Sequence, residues 1–262
     1  MKLCRFELKS TPGEIKSGIV YNGKVYETNG ADASAIHEAE DVRPLAPTGT
    51  PPSLRIFRSR FLGQNGTPPE GEPLYIYGNP NSLISASQIV PEPEYSGALD
   101  FEPYIAVVIA SDGHRIPIEE ADGYILGYTI VNFLVTRDVE RVEHLFGTGP
   151  GRSYDLAAAI GPVLTTPDEM EEVVVDDADG RRFKLTAVAR VNGVERRRGD
   201  VADLPWTLDR MISYASESCP IRMGDLLCAG PIVDVGDGMG VSSGDEIQIA
   251  VEKLGTLAMK IG

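Results

Sequence analysis

The sequence predicts a mostly β protein with a few helices, of the α+β class. It divides into a small N-terminal β-subdomain over residues 1–50 and a larger C-terminal domain over residues 51–262. Three observations carry this reading. Short segments near the N-terminus alternate apolar and polar residues around turn dipeptides. Long β-branched and aromatic runs begin at Asp100, and helical spacing of apolar residues stands out in a late segment.

In chain order, LCRFEL, SGIVY and KVYET are separated by Pro12-Gly13 and Asn22-Gly23, so they read as short strands of a small sheet. From about residue 44 to 96 the chain is dense in Pro, Gly, Asn and Ser, which predicts loops broken by the brief strands LRIF and LYIY. FEPYIAVVIA and ILGYTIVNFLV then read as long core strands on either side of a turn at Ser111-Asp112-Gly113. The charged VERVEHLF reads as a surface helix. WTLDRMISYASES places Leu208, Met211, Ile212 and Ala215 at helical spacing, and DEIQIAVEKL and TLAMKIG close the chain as strands.

A chain of 262 residues that is 42% hydrophobic can bury a sizeable core without staples. Lys and Arg number 24 against 39 Asp and Glu, a formal charge of -15, and such a surface repels phosphate backbones and anionic membranes. Neither nucleic acid nor a membrane is an expected partner. The opening segment mixes charges with apolar residues, unlike a secretory signal, and no apolar run approaches membrane-spanning length. A cytoplasmic protein is the expectation. Cys4, Cys219 and Cys228 are odd in number and lack CxxC spacing, so they read as free, buried thiols. GDGMG and GPGR are turns rather than phosphate cradles, lacking the spacing of a nucleotide-binding loop.

Residues 97–262 resemble the fumarylacetoacetate hydrolase family through FEPYIAVVIA, GYILGYTIVNFLVTRDVE, AAIGPVLTTPDEM, ARVNGVERRRGD, MISYASESCPIRMGDLLCAG and SSGDEIQIAVEKLGTL, in order. GEPLYIYGNPNSLI extends the likeness upstream. The resemblance implies mixed β-sheets rolled around an active site, a homodimer, and cleavage, decarboxylation or isomerisation of small 2-oxo or 1,3-dicarbonyl acids with Mg²⁺ or a similar hard cation. Such a cation is chelated by the substrate's oxygens, stabilises the developing enolate, and is held by carboxylates.

The family's ligand pattern, a strand-borne Glu-x-Glu followed by an Asp, falls here on Glu102, Tyr104 and Phe133. Only Glu102 keeps a carboxylate. One carboxylate with waters holds a hard dication poorly, so no cofactor is expected beyond weak Mg²⁺ or Mn²⁺ binding at Glu102. His114 and His144 lie in charged or turn-rich phrases and read as solvent-facing. The family's water-activating His and Glu fall on Phe61 and Gln64, its lysines on Gly78 and Arg152, and its Thr-Gly-Thr-Pro phrase on Ala229-Gly230-Pro231-Ile232. Arg152 alone keeps a positive charge.

Arg137 with Asp138 is expected as a fold-supporting ion pair, and Arg137, Arg152, Tyr104 and Phe133 as the lining of any ligand site. Arg152 reads equally as an anion clamp or a solvated loop arginine. Tyr104 and Phe133 read as core filling ahead of a stacking pocket. Glu102, buried without a cation, is expected to pair with Arg137 or Arg152 or to become neutral. The functional expectation is a homologue without metal-dependent hydrolysis that binds a small organic acid or serves as a structural subunit, beside an active paralogue. The alternatives are an enzyme on oxo acids with an altered, metal-independent mechanism, and a generic small-molecule binding module.

Overall fold

The computed structural model describes residues 1–29, 32–59, 71–86, 88–235 and 238–262. The mostly β, mixed-sheet architecture predicted from the sequence is what it shows. The strands in chain order are β1 (Lys2–Leu8), β2 (Thr11–Tyr21), β3 (Lys24–Asn29), β4 (Asp32–Glu38), β5 (Val42–Leu45), β6 (Leu54–Arg58), β7 (Tyr75–Gly78), β8 (Leu83–Ser85), β9 (Ile89–Val90), β10 (Leu99–Ile109) and β11 (Ile125–Thr136). They continue as β12 (Ala158–Thr165), β13 (Val174–Asp177), β14 (Gly180–Phe183), β15 (Thr186–Val191), β16 (Val194–Asp200), β17 (Leu226–Gly230), β18 (Glu246–Val251) and β19 (Gly255–Ile261). The α-helices are α1 (Arg137–Leu145) and α2 (Leu208–Ser218).

Among the described residues, a twelve-stranded sheet runs in the order β4-β3-β2-β1-β12-β11-β10-β17-β6-β7, with β5 beside β1 and β8 beside β12. The N-terminal strands join it where β1 pairs antiparallel with β12. β17 and β6 pair in parallel, which brings the chain's early and late segments together at one place. A five-stranded sheet, β16-β15-β18-β19-β9, packs its inward residues Ile247, Ile249, Val251, Leu257 and Met259 into the main apolar cluster.

β10 is buried at every position. A strand buried on both faces is apolar almost throughout rather than alternating, and its side chains divide between two cores. Phe101, Ile105, Val107 and Ile109 enter the larger cluster shared with α2 and the five-stranded sheet. Tyr104, Ala106 and Val108 enter a second cluster with Leu54, Ile56, Val131, Phe133 and Tyr154. Within this sandwich Asp100 and Glu102 are the polar residues of β10 on the Tyr104 face.

α2 follows its predicted periodicity: Leu208, Met211, Ile212 and Ala215 are buried, and the Thr207 hydroxyl caps the helix by accepting from the Arg210 amide at 3.1 Å. His114 and His144 are exposed, as expected. The cysteines differ in one respect: Cys4 and Cys228 are buried, but Cys219 is exposed, because it lies just past the end of α2, where the buried face of the helix has run out. No helix among the described residues is long and apolar enough to cross a membrane.

Candidate functional site

Register places the site. In the β10–β11 pair Glu102 lies opposite Phe133 and Tyr104 opposite Val131, so Glu102, Tyr104 and Phe133 share one sheet face. β11 ends at Thr136 and the chain turns directly into α1, whose first residue is Arg137. Glu140 follows one turn later on the same side of the helix. β6 contributes Arg58 at its last position, and a short helical turn over Arg152–Tyr154 contributes Tyr154.

These segments meet around the Glu102 carboxylate, which is 2% exposed. One oxygen accepts from Arg137 Nη1 at 2.8 Å and lies 3.9 Å from Arg58 Nη2. The other accepts from Tyr104 Oη at 2.9 Å and Tyr154 Oη at 2.5 Å. Arg137 reaches further, donating from Nε to Asp100 at 2.7 Å and from Nη1 to Glu140 at 2.8 Å. Arg58 donates to the other oxygen of Glu140 at 2.7 Å. Asp100 is completed by the Met239 amide at 2.9 Å. Three carboxylates and two guanidiniums thus form one buried network.

The electrostatics follow from these contacts. Burial alone would raise the Glu102 pKa, but the charges of Arg58 and Arg137 and the hydrogen bonds from Tyr154 and Arg137 outweigh it and hold the carboxyl at about 2. Burial and the neighbouring Glu102 charge push the Tyr104 phenol well above its usual range, and the same two causes, with Tyr104 added, raise that of Tyr154. Arg137 loses solvation yet is driven further toward its charged form by Glu102 and Asp100. At neutral pH Glu102 is therefore an anion and both tyrosines are neutral donors. None of the three is poised to exchange a proton as a general acid or base.

The predicted residues come together unevenly. Glu102 pairs with Arg137, one of the two partners expected for it, while Arg152 lies exposed in its turn with its guanidinium 4.1 Å from the ring centre of Tyr95. The expected Arg137–Asp138 pair is not what forms. Asp138 accepts from Ser96 Oγ at 2.6 Å and from the Gly97 and Val139 amides, because consecutive residues at a helix start point in different directions. Tyr104 and Phe133 are fully buried and meet edge to face at 5.1 Å. A cavity of about 300 Å³ is lined by Ile56, Ile76, Gly78, Gly151, Tyr154 and Asp155 among others, with neither Tyr104 nor Phe133 in its wall.

Two glycines show how tightly the neighbourhood is filled. A β-carbon on Gly230 would lie 2.7 Å from Tyr104 Cδ1, so the ring of Tyr104 occupies the space above the Gly230 backbone. A β-carbon on Gly78 would meet Leu54 and Ile56 at 2.7–2.9 Å, so the position at which the resemblance implies a lysine has no room for a side chain without repacking. The two positions matching the family's water-activating pair, Phe61 and Gln64, lie outside the described residues.

The family model described as fumarylacetoacetate (FAA) hydrolase C-terminal matches residues 58–262. The chain belongs to the fumarylacetoacetate hydrolase family. It is 28% identical to oxaloacetate tautomerase YisK of Bacillus subtilis (strain 168), over 98% of this chain and 89% of that protein. Among solved structures it superposes on the fumarylacetoacetate hydrolase of psychrophilic Exiguobacterium antarcticum with a TM-score of 0.81 at 22% identity, covering 100% of this chain and 99% of the other. Maleylpyruvate hydrolase from Sphingobium sp. SYK-6, solved with manganese(II) and pyruvate, gives a TM-score of 0.75 at 20% identity, covering 100% and 98%. At these identities the solved structures establish the fold alone.

A hard dication of the kind that family chemistry uses does not fit the described donors. Of the three positions that the resemblance implies as ligands, two carry an aromatic ring, and the remaining carboxylate has both oxygens engaged by Arg137, Tyr104 and Tyr154. Among the described residues no group of three or more ligating side chains is arranged to hold an ion. Arg58, Glu140, Asp100 and Tyr154 were not singled out from the sequence. The available signal was alternation in LRIFR, which puts Arg58 on the face of Ile56, and the helical spacing of Arg137 and Glu140.

Proposed function

We propose that this family member does not carry out metal-dependent hydrolysis and serves as a structural or binding subunit, as a homodimer or beside an active paralogue. The observation that carries the reading is that both Glu102 oxygens are already engaged, one accepting from Arg137 and the other from Tyr104 and Tyr154. Bringing in a dication requires breaking charge-assisted bonds and placing like charges side by side without adding a ligand. The buried aromatic pair at the other two positions supports the same reading, since rings stand where further carboxylate ligands would be needed.

A second reading, a metal-independent enzyme acting on a small 2-oxo acid, is favoured by full-length similarity to an oxaloacetate tautomerase. Against it, Glu102 and Tyr104 are fixed in protonation states that do not change near neutral pH, and Tyr104 is 0% exposed. The two readings separate in an assay of oxaloacetate tautomerisation and acylpyruvate cleavage, with and without Mn²⁺. The proposal expects rates at the uncatalysed background in both conditions. Turnover that disappears in Tyr104→Phe establishes the second reading in its place.

A further inference from the structure

Arg58 is a buried cation at the end of a strand, 6% exposed, with its guanidinium 2.7 Å from Glu140, 3.9 Å from Glu102 and 5.1 Å from the ring centre of Tyr154. Burying a charge is costly unless something compensates it. The compensation runs both ways here. Asp100, Glu102 and Glu140 place three negative charges in one desolvated volume, and Arg137, which touches all three, neutralises one. Without a second positive charge the acidic trio would carry a net charge of minus two in a medium that screens poorly.

We infer that Arg58 is the built-in counter-cation of this site: its guanidinium supplies, from within the chain, the positive charge that a divalent metal would otherwise bring to Glu102 and Glu140. Arg58 is thus a positioning residue. It holds Glu140 toward Arg137 and places its own charge 3.9 Å from Glu102, which sits between Arg137 and the two phenols. The occupant of this cation site is a side chain, and removing it leaves room beside Glu140 for an external guanidinium of the same charge and shape. The inference rests on the proposed reading that the parent protein carries no dication, and the two fail separately.

The test is thermal unfolding of the parent, Arg58→Ala, Arg58→Lys and Arg58→Ala/Glu140→Gln, each with and without millimolar methylguanidinium, and of the parent with and without Mn²⁺. Arg58→Ala is expected to melt below the parent and to recover about 3 °C or more on adding methylguanidinium. The parent and Arg58→Ala/Glu140→Gln are expected not to respond. Arg58→Lys, which keeps the charge but not the fork, is expected to lose less than Arg58→Ala. If Arg58→Ala does not fold, folding of Arg58→Lys still supports the inference, and equal failure of both overturns it. An Arg58→Ala protein that folds and ignores methylguanidinium also overturns it. Stabilisation of the parent by Mn²⁺ would instead overturn the metal-free reading on which the inference rests.

Discussion

Tyr154 donates its phenolic hydrogen to Glu102 at 2.5 Å, joining a loop turn to a central strand fifty-two residues earlier. A bond this short to an ionised acceptor is charge-assisted, and it shares its oxygen with Tyr104 at 2.9 Å. Tyr154→Phe is expected to cost about 2 kcal/mol, from a lost bond to a buried charge. Tyr104→Phe is expected to cost less. Because each phenol partly covers for the other, the double variant should lose more than the sum of the singles, a coupling that urea unfolding of all four proteins measures.

Arg137 ties Asp100, Glu102 and Glu140 together from one guanidinium. Arg137→Ala strands three buried carboxylates and is expected to destabilise by roughly 3–5 kcal/mol. Arg137→Lys keeps the charge, yet a single ammonium cannot reproduce bonds from both Nε and Nη1, so it should recover only part of the loss. Arg152→Ala, by contrast, removes an exposed side chain stacked on Tyr95 and should shift stability by about 1 kcal/mol or less in the same unfolding series.

The folded-state pKa of Glu102 is depressed to about 2, below the roughly 4.3 of an unfolded glutamate. A depressed carboxylate contributes stability that is fully present above the unfolded pKa and is lost as pH falls through the window from about 4.3 to 2. Its linkage contribution is on the order of 3 kcal/mol. Glu102→Gln should therefore be less stable than the parent at pH 7 and show a flatter decline in acid. Stability measured in urea between pH 7 and 2.5 gives the comparison, and parallel acid limbs would remove Glu102 from the account of acid unfolding.

The packing of Tyr104 over Gly230 makes a steric prediction. Gly230→Ala places a methyl group 2.7 Å from a ring carbon held in the core and 3.1 Å from the Pro103 carbonyl oxygen. It should cost about 1–3 kcal/mol by overpacking. In a Tyr104→Ala background the ring contact is gone, and the same substitution should cost measurably less.

Thiol labelling checks the cysteine assignment. Cys219 is exposed, whereas burial raises the Cys4 thiol to about 11 and pushes that of Cys228 up further. The native protein should react with an aromatic disulfide reagent at one thiol per chain, and the remaining two should appear only on unfolding.

Much of the fold is written in local patterns. Turn dipeptides such as Asn22-Gly23 and the apolar runs that became β10 and β11 are short-range signals, and the Leu208–Ala215 spacing marks the buried face of α2 without reference to the rest of the chain. The site is different, because its members arrive from β6, β10, α1 and a loop turn. Glu102 and Arg137 were recognisable through resemblance. Arg58 and Glu140 acquire their meaning only when the parallel pairing of β17 with β6 carries the end of β6 to the start of α1. The expectation for Asp138 failed for a similar reason: sequence adjacency to Arg137 says little about which way a side chain leaves a helix.

The central claim is that Glu102 is held by arginines and phenols in place of a metal ion. Calorimetric titration of the parent protein with Mn²⁺ at neutral pH tests it most directly. The account predicts no stoichiometric binding heat with millimolar or tighter affinity. One tightly bound Mn²⁺ per chain, lost in Glu102→Gln, would contradict it.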